Sequence, residues 1–339
     1  MSQTVEIDVR YLLGADQSLV LRTEQDWDDS IEPIEIGPTG CRFRITAPDS
    51  AHHLYWKPCR IGSDGFQWST GPNYLTVLPL SGPVRVWPHF GIPAGTLTHR
   101  FTITDLVGAL SHEIRVYLPP GYHENTLKRY PTLYMHDGQN VFLSEEAYIG
   151  GEWRADEMMH RLDEMAVIDK VIVVGIHPRD RMTEYSQRGY DAYGRYFVNI
   201  LKPAIDAGFR TLPGPKNTAV MGSSLGGVVS MHIAWTWPDI VGNAACLSSS
   251  FWYDNDLFHR VRNEPLPPIR LYLDSGWPSD NFSVTQEMAN LLVSQGMQMG
   301  RELMYFAFPL AQHSELHWAA RLHLPFQFLF GKVWRQSSL

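Results

Sequence analysis

The segment Val220-Met221-Gly222-Ser223-Ser224-Leu225-Gly226-Gly227 carries a G-x-S-x-G pattern. The chemistry it could do is nucleophilic. A serine on a sharp turn between strand and helix presents its hydroxyl to an acyl carbon, and the flanking glycines let the two elements approach closely. An apolar run precedes the pattern and small residues follow it, so Ser224 is the expected nucleophile and Ser223 is expected to be buried. The plainer reading is a glycine-rich turn in which Ser224 caps a helix. The context on both sides favours the nucleophile. The Leu225 amide, first in the helix, would then face the developing oxyanion.

A serine nucleophile needs a base and an acid to orient it, and with this turn the chain order is Ser, acid, His. The apolar stretch Ile269–Leu273 runs into Asp274-Ser-Gly-Trp-Pro-Ser-Asp280. Asp280, out on the loop, is the expected acid, and Asp274 is expected to cap the turn. Beyond Leu303–Phe308 come His313 and His317. His313 lies on the loop side and is the expected base, while His317 falls one turn inside the next helix as a partly buried surface histidine. Two histidines so spaced can share zinc, but the zinc-protease pattern needs Glu directly after the first, and here Glu315 is displaced. No metal and no organic cofactor are expected. The second oxyanion donor should come from the loop after an early strand, Met135-His136-Asp137-Gly138-Gln139-Asn140, with the Gln139 amide as candidate. His136 and Asp137 are read as stabilising that turn. Phe251, Trp252 and Trp277 are placed to wall a pocket.

These residues need a frame. From residue 111 onward strand and helix patterns alternate. Strands are expected at Ser111–Leu118, Tyr130–Met135, Lys170–Ile176, Thr218–Met221, Gly242–Ser248, Ile269–Asp274 and Leu303–Phe308. Helices are expected at Asp156–Asp163, Tyr196–Ile205 with an interruption at Pro203, Gly226–Trp237, Gln286–Gln295 and Trp318–Phe330. Such alternation implies an α/β fold, a mostly parallel sheet with helices on both faces. Before residue 100 the pattern is different. Short β-type runs (Val5–Val9, Leu19–Arg22, Cys41–Ile45, His53–Lys57, Tyr74–Leu78, Val84–Trp87) are punctuated by Asp-Asp-Ser, Gly-Pro-Thr-Gly, Gly-Ser-Asp-Gly and Ser-Gly-Pro. That spacing implies a small all-β sandwich. The expected domains are therefore 1–98 and 99–339, joined compactly around His89–Thr96. So short a join predicts that the β-domain packs on the larger one and shapes substrate access without supplying a catalytic group.

Several segments together resemble one family. They are Leu133-Tyr-Met-His-Asp-Gly-Gln-Asn-Val-Phe142, Val174-Gly-Ile-His-Pro with Arg181 and Glu184-Tyr185, and Gly222-Ser-Ser-Leu-Gly-Gly227. Leu247-Ser-Ser-Ser-Phe-Trp252, Leu273-Asp-Ser-Gly276 and His313-Ser-Glu-Leu-His-Trp318 complete the set. In order and kind they resemble the α/β-hydrolase esterase family that includes esterase D and enterochelin esterase, over about residues 111–332. The resemblance implies an α/β-hydrolase fold and a serine esterase. In that family the acid follows the D-x-G turn and is soon followed by an aromatic, which matches Asp280 with Phe282. Its histidine precedes a short stretch ending in Trp, which matches His313. Residues 1–98 lie outside the catalytic resemblance and are similar only in strand pattern to immunoglobulin-like or carbohydrate-binding-like β-domains.

Composition narrows the partners. With 28 basic and 36 acidic residues among 339, the net charge is −8, which disfavours nucleic acid and anionic membranes as partners. Three cysteines without C-x-x-C spacing form neither a disulfide framework nor a zinc ribbon, and no leader or bilayer-length apolar run is visible, so a cytoplasmic location is expected. The expected partner is a small-molecule ester. Oligomeric state is not legible. Two alternatives share or replace this reading: acyl transfer to a sugar hydroxyl on the same residues, and a non-catalytic carbohydrate-binding protein using Trp27, Trp56, Trp68 and Trp87.

Overall fold

The structure, a computed structural model, describes residues 3–78, 82–105, 110–148 and 151–332. It divides into two units. The first comprises residues 1–95 together with Pro119–Lys128 and Asp163–Ala166, and the second takes the rest.

In the first unit the strands are β1 (Gln3–Arg10), β2 (Ser18–Thr23), β3 (Asp26–Ile31), β4 (Glu35–Gly37), β5 (Gly40–Ala47), β6 (His53–Gly62), β7 (Gly65–Trp68), β8 (Tyr74–Val77) and β9 (Val84–Val86). They form two sheets, β4-β5-β1-β9 and β3-β2-β6-β7, with β8 also paired to β6. Period-two alternation decides which residues face inward. Val5, Ile7 and Val9 of β1 and Cys41, Phe43 and Ile45 of β5 are buried, and they share one core with Leu19, Leu21, Leu54 and Trp56. Trp56 is thus a core residue, its Nε1 donating to Thr76 Oγ1 at 2.9 Å, and it offers no face to a sugar. The Asp-Asp-Ser stretch read as a separator lies inside β3, an edge strand whose outward acids hid it. Pro119–Lys128 is tied into this unit by polar contacts. Glu124 accepts from Tyr11 Oη, Phe90 N and Gly91 N, and Asn125 Nδ2 donates to the carbonyls of Arg10 and Pro88.

The second unit is built on a nine-stranded sheet. Its strands are β10 (Thr96–Leu97), β11 (Phe101–Thr104), β12 (Ser111–Leu118), β13 (Thr132–His136), β14 (Ile172–Ile176), β15 (Thr218–Ser223), β16 (Asn243–Leu247), β17 (Arg270–Trp277) and β18 (Leu303–Pro309). The order is β10-β12-β14-β13-β15-β16-β17-β18, with β11 on β12. From β14 to β18 every neighbour is parallel, and β12 runs antiparallel to β14. β13 through β16 are buried along their whole length, as continuous apolar runs covered on both faces should be. The helices are α1 (Ala155–Glu164), α2 (Arg181–Glu184), α3 (Tyr190–Tyr196), α4 (Lys202–Gly208), α5 (Leu225–Thr236), α6 (Leu257–Asn263), α7 (Phe282–Ser294), α8 (Glu315–Arg321) and α9 (His323–Phe330). Leu133, Met135, Ala219 and Met221 pack with Met159 of α1, Trp318 of α8 and Phe326 of α9 on one face. On the other face Tyr134 meets Phe197 edge-on at 4.9 Å. The fold is an α/β-hydrolase sheet preceded by an all-β region.

Two helices differ from expectation. Pro203 sits in the first turn of α4, where a missing N–H costs nothing. The irregularity precedes it, as a π-helical turn over Phe197–Leu201. The closing helix is two helices, α8 and α9, meeting at Leu322.

Candidate active site

Because β13, β15, β16, β17 and β18 are parallel, the loops leaving them gather at one edge of the sheet, where open α/β sheets bind ligands. Ser224 directly follows β15 with φ 55° and ψ −120°, a strained conformation for a residue with a side chain. The turn is pinned from both sides, Ser224 N donating to Leu247 O at 2.9 Å and Ser250 N to Ser224 O at 3.1 Å. A Cβ on Gly222 would lie 2.5 Å from the Gly226 carbonyl carbon, so glycine is what lets β15 and α5 meet. Ser223 and Leu225 are buried and Ser224 is partly exposed. Its Oγ lies 3.0 Å from Ser250 Oγ, and no hydrogen bond joins it to His313 among the described residues.

Asp280 and His313 are brought into contact. His313 Nδ1 lies 2.7 Å from Asp280 Oδ1, with the imidazole 40% exposed and the carboxylate fully buried. The other oxygen, Oδ2, accepts from Ser248 Oγ at 2.7 Å and Gly276 N at 2.8 Å. Burial pushes the Asp280 carboxyl up, but the hydrogen bonds from His313, Ser248 and Gly276 outweigh it and hold the group below its ordinary value. Ionised Asp280 accepts, so Nδ1 carries the proton and Nε2 is left as an acceptor. Since its folded value is depressed, Asp280 contributes stability above its unfolded pKa of about 3.9 and loses it as pH falls through the folded value. Asp280→Asn should therefore flatten the acid limb of stability against pH, measured by urea unfolding from pH 5 downward.

The edge loop after β13 places Asp137 at φ 57°, followed by a single 3-10 turn, Gly138–Asn140. Gln139 lies in that turn and Leu225 opens α5, so both amides belong to a first helical turn, where a backbone N–H has no partner within its own helix. Asp137 does more than stabilise a turn. Arg181 clamps it through both oxygens, Nε to Oδ1 at 2.8 Å and Nη2 to Oδ2 at 3.0 Å, and reaches Ser223 O at 3.4 Å. His136 is fully buried, and burial, with Arg181 and His112 nearby, pushes its pKa down to about 3, so it stays neutral.

Asp274 does not cap a turn. It is buried in a two-pronged pair with Arg321, Nε to Oδ2 at 3.1 Å and Nη2 to Oδ1 at 2.9 Å, and Tyr272 Oη donates to it at 3.0 Å. Burial raises its pKa to about 6 against the pull of Arg321. His317 is partly buried, its Nδ1 accepting from Gln312 N at 3.1 Å. Phe251 is buried edge-on to Phe258, whereas Trp252 and Trp277 are 67% and 46% exposed. The Trp252 indole donates to Asn281 Oδ1 at 2.9 Å. Among the described residues no group of three or more His, Cys, Asp or Glu is placed to hold a metal, and no helix is long and apolar enough to cross a membrane. Cys41, Cys59 and Cys246 are free and buried.

A family model described as "Putative esterase" matches residues 110–323, more than half of the chain. The chain belongs to the esterase family. It is similar to the uncharacterized protein YbbA of Bacillus subtilis, 25% identical over 154 residues, covering 41% of this chain and 57% of YbbA. The match thus spans little more than half the length of that relative. Among solved structures it is similar to the enterobactin esterase FES of Shigella flexneri, crystallised in the presence of 2,3-dihydroxy-N-benzoyl-glycine. That match has a TM-score of 0.57 and 12% identity, over 96% of this chain and 93% of that one. A second is a ferulic acid esterase of Anaeromyces mucronatus in complex with ferulic acid, with a TM-score of 0.55 and 19% identity over 70% and 91%. Identities this low show a shared fold.

Sequence reasoning missed the partners of the residues at this sheet edge. Ser248, Ser250 and Arg181 lie in segments that carry the family resemblance, but their pairing with Asp280, Ser224 and Asp137 was not legible, and Arg321 and Asn281 carried no signal beyond their type. The glycine of the β13 loop was legible, and its reason is now geometric. A Cβ on Gly138 would lie 2.5 Å from Ile176 N and 2.6 Å from Gly175 C, backbone of the neighbouring strand. Gly138→Ala should destabilise the protein by about 1–3 kcal/mol, as overpacking does, read by chemical denaturation.

Proposed function

We propose that this protein hydrolyses carboxylic esters through Ser224, His313 and Asp280, by way of an acyl-enzyme. The observation that carries the reading is the 2.7 Å Asp280–His313 contact at the same sheet edge as the strained Ser224 turn. His313 Nε2 takes the hydroxyl proton as Ser224 Oγ bonds to the acyl carbon, and Asp280 stabilises the imidazolium that forms. The Leu225 and Gln139 amides receive the oxyanion. Collapse expels the alcohol, which takes the proton from His313. Water, deprotonated by His313, then attacks the acyl-serine, and collapse releases the acid as Ser224 Oγ takes the proton back from His313. Ser224 rests on Ser250 in this structure, and serine–histidine contacts often tighten only with substrate in place.

Esters with a flat aromatic acyl group are the proposed substrates. Trp252 and Trp277 are large aromatic residues left exposed, Trp252 is hydrogen-bonded to Asn281, the neighbour of Asp280 in sequence, and both solved relatives are described with ring-bearing acids. The test is labelling of purified protein by an organophosphonate, mapped to Ser224, with turnover on aryl, alkyl, sugar-acetate and feruloyl esters. An unlabelled Ser224 would overturn the mechanism, and a preference for alkyl over aryl acyl groups would overturn the substrate class. None of these steps uses a metal, so activity should survive prolonged EDTA treatment. Loss on chelation with recovery on adding zinc would move His313 and His317 to ligands.

A further inference from the structure

Behind the Asp280–His313 contact lies a closed polar network that the ester chemistry as stated does not use. Ser248 Oγ donates to Asp280 Oδ2 at 2.7 Å and accepts from Trp318 Nε1 at 3.0 Å and Arg321 Nη2 at 2.6 Å. Indole and guanidinium can only donate and an ionised carboxylate can only accept, so the hydroxyl's one proton and two lone pairs are all committed. The direction of its bond to Asp280 is fixed. Arg321 in turn grips Asp274 with two bonds and stands 3.7 Å from Asp280 Oδ2, so one guanidinium serves two buried carboxylates. The side chains of Arg321, Asp274 and Asp280 are 3%, 0% and 0% exposed, which leaves solvent no part in holding them. Arg321 also lies over the Phe308 ring, 5.1 Å from its centroid.

We propose that Arg321 and Ser248 are positioning residues for Asp280: anchored on Asp274, they fix the unused oxygen of Asp280 so that the other faces His313. This rests on the catalytic reading above. A carboxylate is free to rotate about its bond to the chain. With Oδ2 held by Ser248 and Gly276 N, Oδ1 has one orientation, and that orientation meets the imidazole. Asp280 sits at φ 62° and Asn281 at φ 61°, so the loop that carries the acid is itself strained and depends on such anchoring. Asp274 is then an anchor, which accounts for a buried acid at this edge that the mechanism does not need.

The groups facing Asp280 are His313, Arg321 and Asp274, with Tyr272 and Tyr305 behind Asp274. Both the Ser248 donor and the Arg321 charge draw negative charge away from the Asp280–His313 pair. Removing either strengthens the hold of Asp280 on a proton at His313, so the acid limb of kcat/KM should move to higher pH.

The experiment compares Ser248→Ala, Arg321→Lys and Ser224→Ala with wild type. Each is followed by kcat and KM on one aryl ester across pH, and by thermal unfolding. Ser248→Ala should lower kcat about 10- to 100-fold, the worth of one hydrogen bond to a charged group, with KM little changed and the acid limb moved up. Arg321→Lys keeps the charge beside Asp274 and should fall less. A Ser248→Ala protein that melts earlier yet keeps the wild-type kcat and pH profile while folded would overturn the positioning role, provided Ser224→Ala is inactive. Activity remaining in Ser224→Ala would instead overturn the catalytic reading itself.

Discussion

Ser224→Ala is expected to lower kcat for ester hydrolysis by about 10⁶, leaving the residual rate that binding and the oxyanion donors supply. Among the described residues its side chain makes one hydrogen bond, to Ser250 Oγ, so its loss should leave the fold intact. The backbone conformation at φ 55° is as unfavourable for alanine as for serine, and the pinning bonds to Leu247 and Ser250 are made by main-chain atoms. Ser223→Ala is the matched control. Ser223 is buried at the end of β15 and presents no hydroxyl at the edge, so its variant should keep most of the activity. The pair separates the elbow geometry from a simple need for serine in the motif. Rates on an aryl acetate together with phosphonate labelling decide the matter. Wild-type turnover by Ser224→Ala on several esters would remove the nucleophile from the scheme.

What was legible in the sequence was local. Ser224 and the glycines around it lie within eight consecutive residues, and each constraint on them (strand before, helix after, no Cβ between) acts over that distance. The central strands were legible because burial on both faces makes an uninterrupted apolar run. β3 was not, because it is an edge strand with no fully buried residue on either face, so Asp26, Asp28 and Asp29 stay exposed and break the apolar alternation. Asp274 was misjudged for a different reason. An acid before Ser-Gly reads as a turn cap from its neighbours, and the group that actually pairs with it, Arg321, is 47 residues away. Ser248 stands 73 residues from Arg321. Such partners come together only through strand order, which periodicity does not reveal. The same limit hid the partner of Arg181, whose clamp on Asp137 spans 44 residues. The reach of local reasoning thus ended at the residues that perform the proposed chemistry and did not extend to those that hold them.

The second large effect expected is at His313. His313→Ala should cost about as much as Ser224→Ala, near 10⁶ in kcat, and the double variant should cost no more than either alone. Non-additivity follows from the roles. A serine without its base is a poor nucleophile at neutral pH, and a base without its serine has no proton to take, so the second removal deletes nothing that still functions. Three observations favour His313 over His317 for the proposed role. His313 Nδ1 is committed to the buried Asp280 at 2.7 Å, which leaves Nε2 as the acceptor on a ring that is 40% exposed. Trp318 meets the same ring edge-on at 4.9 Å and limits its rotation. The Nδ1 of His317, by contrast, is spent on the Gln312 amide, and among the described residues no ion pair joins His317 to a carboxylate. His317→Ala should therefore stay within a few-fold of wild type, while small imidazole added to His313→Ala restores part of the rate by entering the vacated space. The measurement is kcat for the two single variants and the Ser224→Ala/His313→Ala double on one aryl ester. A double variant slower than both singles by the product of their losses would mean that serine and histidine act independently, and the proton relay between them would have to be abandoned.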